Sequence, residues 1–526
     1  MNLDLLITGA KVYDGTGSDW FKAAVGVNGD SITILRGDVR DVPARRTIDA
    51  TGLAVAPGFI DMHAHSTMTI LHQPEHEPKV RQGVTTELIG VDGNSYAPFE
   101  DTADLERWAA FNAGLDGHKP DGVWSSVGEY LDLYHERVAV NIAYVVGNSQ
   151  LRIATTGWSD NVASESDMTR MKDLLRVAID EGALGMSTGL TYPPGSYAST
   201  EELIELCKVV RDSGGMHVTH VRYGAGTHFA DPFVEAVKIS RESGVALHIS
   251  HYASLWRRSG QFKPLLALVD DARDEGIPVT FDAYPYNYGG SRATVALPDW
   301  MQNGGPDLLM ERLADPKARA LMREEEDPRQ SRWRSPAGWH LTGFRQDRNL
   351  EFDGLALHEV AARLGRDPLD ALCDLLLDED LGLSYVGHNS NDSTNVRKIL
   401  EHPQCMVGSD GLLVGSFPSP RTYGTFPKML GAISREEGLL STSEVIRKMT
   451  SFPAQLLGLS DRGIIRDGAK ADIVVFDEDT VGSRATLETP QVFPDGIPYV
   501  IVNGTLVIDD GQHTGATPGR ALRRAA

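Results

Sequence analysis

Cysteine is scarce: Cys207, Cys373 and Cys405 are the only three in 526 residues, with no CxxC spacing and no even-numbered set. A disulfide framework is therefore not expected, and a reducing, cytoplasmic location is. No segment approaches the ~20 consecutive apolar residues that span a bilayer. The opening Met1-Asn2-Leu3-Asp4-Leu5-Leu6-Ile7 has no basic leader before an apolar run, so neither export nor anchoring is expected. Positive charge is in deficit: 50 Lys and Arg against 73 Asp and Glu leave a net charge of −23. Such a field repels nucleic acid and anionic membrane surfaces, so neither is expected as a partner. Assembly into a homo-oligomer is left open. Long polar low-complexity tracts are absent too, and 41% hydrophobic with 23% charged residues describes a soluble chain with material for a large core.

What is present changes character along the chain. The first stretch alternates short β-rich runs (Leu5-Leu6-Ile7, Ala24-Val25-Gly26-Val27, Ser31-Ile32-Thr33-Ile34-Leu35) with Gly and Asp turns, and the last stretch does the same at Ala471 to Phe476 and Tyr499 to Gly504. Both ends read as antiparallel sheet and are expected to pair into one small β-sandwich, residues 1–56 plus 460–526. Between them, buried strands alternate with amphipathic helices, the pattern of a parallel sheet covered on its outer face. Eight strand candidates start near Phe59, Thr86, Ile142, Leu184, Met216, Ala246, Val279 and Met406. Helical stretches include Ser164 to Asp180, Thr200 to Asp212, Pro232 to Glu242 and Lys263 to Asp274. Eight βα units predict a closed (β/α)8 TIM-type barrel over residues 57–459. The seventh and eighth strands are far apart, so a lid or subdomain inserted at about 290–385, with a Trp333-Arg334 patch and a helix near Pro368 to Asp378, is expected at the active-site mouth.

The strongest chemical signal is Gly58-Phe59-Ile60-Asp61-Met62-His63-Ala64-His65, an apolar strand ending in two histidines one residue apart. Alternation puts both imidazoles on one side, where they can grip a divalent cation such as Zn2+. His220 and His251 each close a later strand candidate, at the end of a barrel where chemistry is done. His217 and His248, three positions earlier, lie within those strands and read as packing residues. Asp410, in Val407-Gly408-Ser409-Asp410-Gly411, closes the eighth strand. A carboxylate there can take a proton from a metal-held water and pass it to a leaving nitrogen.

Together these residues resemble the amidohydrolase superfamily and, within it, the N-acyl-D-amino-acid deacylase (D-aminoacylase) family, over essentially the whole chain. Further matching runs are Gly83-Val84-Thr85-Thr86, Gly182 to Leu190, Asp282-Ala283-Tyr284-Pro285-Tyr286, Pro420 to Phe426 and Val502-Asn503-Gly504. The resemblance implies hydrolysis of an N-acyl-D-amino acid inside a barrel flanked by a β-sandwich. It implies that His220 and His251, with a ligand from the second strand, hold one zinc, that His63 and His65 hold a second metal, and that Asp410 is general base and acid and also a metal ligand. It places Tyr192, Tyr284 and Arg421 near the substrate's carbonyl or carboxylate.

Four departures from the family pattern bear on the chemistry. Where the family commonly has GNCG, with its Cys as a metal ligand, this chain has Gly90-Val91-Asp92-Gly93. Asp92 is expected to replace the sulfur and, as a harder donor, to tilt preference toward Mn2+ or Co2+. Tyr252 stands after His251 where a Lys is usual and is expected among the substrate-binding residues, with Arg292 or Arg222 supplying a guanidinium for the substrate carboxylate. Asn148 replaces a His, and Ser419 precedes Pro420-Arg421 where HPR is common. Hydrolysis of a cyclic amide, imide or N-carbamoyl compound, and a non-catalytic small-molecule binder, stand as alternatives.

Overall fold

The computed structural model describes residues 2–224, 228–252, 262–326, 332–334, 338–388 and 393–524. Its centre is built on eight short parallel strands: β1 (Phe59–Asp61), β2 (Val84–Ile89), β3 (Asn141–Tyr144, continued by Val146–Gly147), β4 (Gly185–Gly189), β5 (Met216–His220), β6 (Ala246–Ile249), β7 (Val279–Ala283) and β8 (Cys405–Val407). They pair in sequence order, β1 with β2 and β3, then the end of β3 through β4 to β8. The ring closes where Met62 N donates to Val407 O at 3.2 Å and Gly411–Leu412 pairs in parallel with Ala64–His65. Ile60, Met62, Leu88, Ala143, Met216, Val218 and Met406 pack as one cluster joined by Ala454 and Leu457, the filled interior of a small barrel.

The outer layer follows from helical periodicity. In α1 (Glu165–Asp180) the buried residues are Met171, Leu175, Ala178 and Ile179, one stripe of a 3.6-residue repeat. Ser164 and Asp167 close its first turn as a reciprocal capping box. The helices α2 (Thr200–Asp212), α3 (Asp231–Ser243) and α4 (Phe262–Asp274) follow β4, β5 and β6. No helix among the described residues is long and apolar enough to cross a membrane.

Both chain ends build the sandwich. One sheet has the order Ser31–Leu35, Ala24–Asn28, Leu3–Thr8, Ala44–Asp49, and the other runs from Gln512–His513 through Tyr499–Val502 and Ile473–Phe476 to Ala54–Pro57. Leu5, Ile7, Val25, Val27, Ile48, Val55, Ile473, Val475 and Ile501 fill the space between, each Val or Ile contributing about 1.5–3 kcal/mol on full burial. The expectation of purely antiparallel pairing is corrected here: Leu3–Thr8 with Ala44–Asp49, and Lys11–Val12 with Ala54–Val55, run parallel. A complete hairpin, Ala24–Asn28 with Ser31–Leu35, lies between the first pair and returns the chain in its original direction.

After β7 the chain forms an antiparallel sheet in which Ser384–His388 lies between Tyr288–Arg292 and Trp339–Thr342. The helices α5 (Pro306–Ala314), α6 (Leu357–Leu364) and α7 (Pro368–Asp378) belong to the same excursion. Trp339 stacks on Tyr385 with ring centroids 3.8 Å apart, and Ala293 N donates to Leu383 O. This rigid edge carries Ser291 and Arg292 toward the barrel mouth.

Candidate metal centre and active site

The ends of β1 and β8 are fastened to each other. The Asp61 carboxylate accepts from His63 N at 3.1 Å and Ser409 N at 2.8 Å, and Asp410 N donates to His63 O at 2.9 Å. Lys79, wholly buried, neutralises that carboxylate at 2.7 Å and Glu87 at 2.9 Å. Three residues of the centre have left-handed backbones without being glycine: Asp92 (φ 57°), His251 (φ 35°) and Asp410 (φ 48°). Each such residue stores of order 1–3 kcal/mol, held only where its surroundings over-determine it.

These loops bring four imidazoles and two carboxylates together. His63 Nε2 and His65 Nε2 are 3.2 Å apart, and His220 Nδ1 and His251 Nε2 are 2.9 Å apart. Asp92 lies between the pairs. Its Oδ1 is 3.6 Å from His63 and 3.8 Å from His251, and its Oδ2 is 3.6 Å from His65 and 3.5 Å from His220. Asp410 Oδ1 is 3.7 Å from His63 Nε2 and 3.4 Å from His65 Nε2. Donors held ~2.0–2.1 Å from one tetrahedral cation stand about 3.3 Å apart, so these separations suit shared coordination better than direct hydrogen bonds. His63, His65 and Asp410 form one such trio, and His63, Asp92 and His251 another. Asp92 Oδ1 is buried without a hydrogen-bond partner, an orphan that a cation satisfies. The donor set therefore fits one or two divalent cations with nitrogen and oxygen ligands. The three cysteines are buried and contribute nothing to it.

Electrostatics reinforce the arrangement. Burial pushes His220 down to about 4 against the pull of Asp92, so it is neutral near pH 7, the form that ligates metals. Burial opposes ionisation of Asp410, but Arg421 and His63 overcome it and hold the carboxyl far below its usual range. Arg421 Nη1 meets Asp410 Oδ2 at 2.8 Å.

Around the cluster stand Tyr192, Tyr284, Arg292 and Arg421. The Tyr192 ring is 4.8 Å from that of His220, and its hydroxyl is 3.1 Å from Ser291 Oγ. The Arg421 guanidinium lies 4.6 Å over the Tyr284 ring. Arg292 is fully buried and sits over the rings of Phe111 (4.2 Å) and Tyr192 (5.1 Å). One of its nitrogens donates to Asn112 Oδ1, while Nε and Nη2 have no partner. Burial lowers it to about 10.

Two expected substrate contacts are corrected. The Tyr252 ring packs between Phe233 (5.0 Å) and Phe281 (4.4 Å), and its hydroxyl donates to Leu265 O at 2.7 Å. It faces the helical layer, because the residue after an inward His points outward. Arg222 is occupied by Glu235 and by the carbonyls of Ser196 and Ala198, so it braces the loop after β4. His217 meets Thr188, and His248 meets Asp282 at 3.0 Å, both as packing or supporting groups. Asn148 is fully buried and donates to Gly195 O at 2.9 Å, which makes it a loop brace. Ser419 is buried beside Arg421.

Other residues carried no motif signal. Thr191 Oγ1 meets His220 Nε2 at 2.7 Å, the Tyr223 hydroxyl meets His251 Nδ1 at 3.3 Å, and Asp116 Oδ1 meets His65 Nδ1 at 3.2 Å. Only position could have found the first two, since Thr191 follows β4 closely and Tyr223 follows β5.

Known proteins resemble the chain over its whole length. The amidohydrolase family pattern matches residues 46–508. An N-acyl-D-glutamate deacylase of Alcaligenes xylosoxydans xylosoxydans is 35% identical over 100% of this chain and 97% of its own, and a D-aminoacylase of the same organism is 34% identical over 99% and 98%. Among solved structures, an N-acyl-D-glutamate deacylase from Bordetella bronchiseptica, complexed with zinc and a phosphonate mimic of the tetrahedral intermediate, superposes with a TM-score of 0.85 at 31% identity, covering 100% of both chains. A family pattern over most of the chain, full-length relatives and an inward donor set at the ends of barrel strands lead to one conclusion: this chain belongs to the amidohydrolase family.

Proposed function

We propose that this protein is a metal-dependent deacylase that hydrolyses the amide bond of an N-acyl-D-amino acid. The observation that carries the reading is Asp92 set among four imidazoles, with the Arg421-held Asp410 beside them. His63, His65 and Asp92 would hold one divalent cation, and His220, His251 and Asp92 the other. When bound, such a cation supplies a water acidified toward neutral pH and a polarised amide carbonyl. With no thiolate among the donors, Mn2+ and Co2+ become competitive with Zn2+.

The chain's own groups do the rest. Asp410, ionised and oriented by Arg421, accepts the water's proton on Oδ1, the oxygen facing the histidines, and delivers it to the leaving nitrogen. Tyr192 stays protonated, because burial and the neighbouring carboxylate of Asp92 both disfavour its anion, and its hydroxyl is held beside Ser291 as a donor toward the acyl oxygen. Arg292, whose Nε and Nη2 have no hydrogen-bond partner among the described residues, receives the substrate carboxylate in place of the lysine usual after His251. D-selectivity draws its support from the relatives, whose names specify D-amino acids. The cyclic-amide, imide or N-carbamoyl alternative is motivated by Tyr252 and Asp92; Tyr252 packs against Phe233 and Phe281, so Asp92 alone is left to favour it.

The test is hydrolysis of a panel of N-acetyl-D-amino acids and their L-enantiomers before and after chelation. D-selective turnover that disappears with the metal and returns on adding it back is expected. Turnover indifferent to chelation defeats the reading.

A further inference from the structure

The four imidazoles of the centre differ in what holds their outer nitrogens. Hydroxyls serve His220 and His251, from Thr191 and Tyr223. His63 Nδ1 has no hydrogen-bond partner, and the nearest carboxylate oxygen, of Asp282, is 3.9 Å away. His65 differs: its Nδ1 lies 3.2 Å from Asp116 Oδ1.

Asp116 is held in place on every side. It is 1% exposed, its second carboxylate oxygen accepts from the Tyr96 hydroxyl at 3.0 Å, and its backbone carbonyl accepts from Met68 N at 3.2 Å. Asp116 N closes a turn on Asn112 O, and the Asn112 side chain is in turn gripped by Arg292, whose positive charge lies within electrostatic reach of Asp116. A buried carboxylate so placed serves little as packing, since an apolar residue would fill the same space without the desolvation cost.

We propose that Asp116 is a positioning residue for the His63/His65 cation position. An ionised carboxylate can only accept, so the proton of a neutral imidazole sits on Nδ1. Nε2 is then left as a lone-pair donor aimed at the space bounded by Asp92 Oδ2 and Asp410 Oδ1, 3.6 and 3.4 Å away. Carboxylate–histidine pairs of this kind fix ring orientation and raise donor strength, and their loss weakens metal binding about 10- to 100-fold. The hydroxyl-held pair, His220 and His251, makes no contact with Asp116 in the described residues, so the effect belongs to one cation position and spares the other. The inference rests on the metal-centre reading but not on the substrate.

The experiment titrates the metal-free full-length protein with Co2+ against a chromogenic chelator, for wild type, D116N and T191V. D116N is nearly isosteric and is expected to weaken one binding step about 10- to 100-fold, leaving the other within about twofold. T191V, acting on His220, is expected to spare the step that D116N weakens. Histidine-selective 15N spectra are expected to lose the Nδ1-protonated signature of His65 in D116N. Should D116N not fold, Y96F, which removes only the donor to the second oxygen, is expected to weaken the same step by a few-fold. Two wild-type-like steps in D116N, or equal weakening of both, overturns the proposal. Wild type that binds no cation at all removes the metal-centre reading with it, and neither readout depends on turnover.

Discussion

An aspartate at position 92 offers two oxygens, one turned toward each histidine pair diagonal, so a single side chain can serve both cation positions. Its substitution by Ala is accordingly expected to lower the affinity of both, as read by metal content after dialysis. Asp410→Asn is expected to keep its metal but lose about 10²–10⁴ in kcat, the usual worth of a positioned general acid and base; kcat beside metal content in the same sample checks this. Arg292→Ala is expected to cost about 10- to 100-fold in kcat/KM, as for a charge-assisted contact of ~1.5–3 kcal/mol, with metal content unchanged. The four histidines lie at or within two residues of the ends of strands, the positions where the sequence pattern expects barrel chemistry, and the fold brings their rings together. Asp116 was not legible, because it lies 51 positions from its partner His65, at the end of a short helix (Ala113–Asp116) whose placement no local pattern specifies. The outward direction of Tyr252 was not legible either, because resemblance at a position carries no side-chain direction, and its neighbour His251 has a left-handed backbone that turns the chain there.

At the scale of elements, the eight strands and the outer helices were legible from periodicity, and their ends moved by only a few residues. The parallel pairings of the sandwich were not, since a strand's sequence does not name its neighbour. The tail motif Val502-Asn503-Gly504 acquires a purpose in the fold. The Asp472 carboxylate accepts from Asn503 N at 2.7 Å, from Asn141 Nδ2 at 3.0 Å and from Arg462. Asn503 in turn donates to Asn141 Oδ1 at 2.7 Å, tying the sandwich to the start of β3. A Cβ on Gly504 would stand 1.9 Å from Gly29 O, which explains the glycine. Asp472→Ala leaves the buried Arg462 only the half-exposed Asp461, at 3.5 Å, as counter-charge and is expected to cost about 3 kcal/mol, measured as a shift in the urea midpoint. Activity per folded molecule should be little changed, since the staple lies outside the centre.

For the whole molecule, the chain ends are joined by charge as well as by sheet. Lys470 and Arg520 donate to Asp30 and lower its carboxyl from 3.8 to about 2. A carboxyl lowered on folding adds stability above its unfolded value, and that share is lost as pH falls toward 2. Asp30 is partly solvated, so the share is about 1 kcal/mol. Asp30→Asn should therefore be less stable than wild type from pH 7 down to about 4, with the difference shrinking below that, as followed by urea unfolding across pH.

The measurement that bears most directly on the account pairs elemental analysis with hydrolysis of N-acetyl-D- and L-amino acids by wild type and Asp92→Ala. Bound divalent metal with D-selective turnover in wild type, both lost in the variant, is the predicted result. A wild type that turns over D-substrates with no bound metal, or a variant that keeps full metal and full turnover, would contradict it.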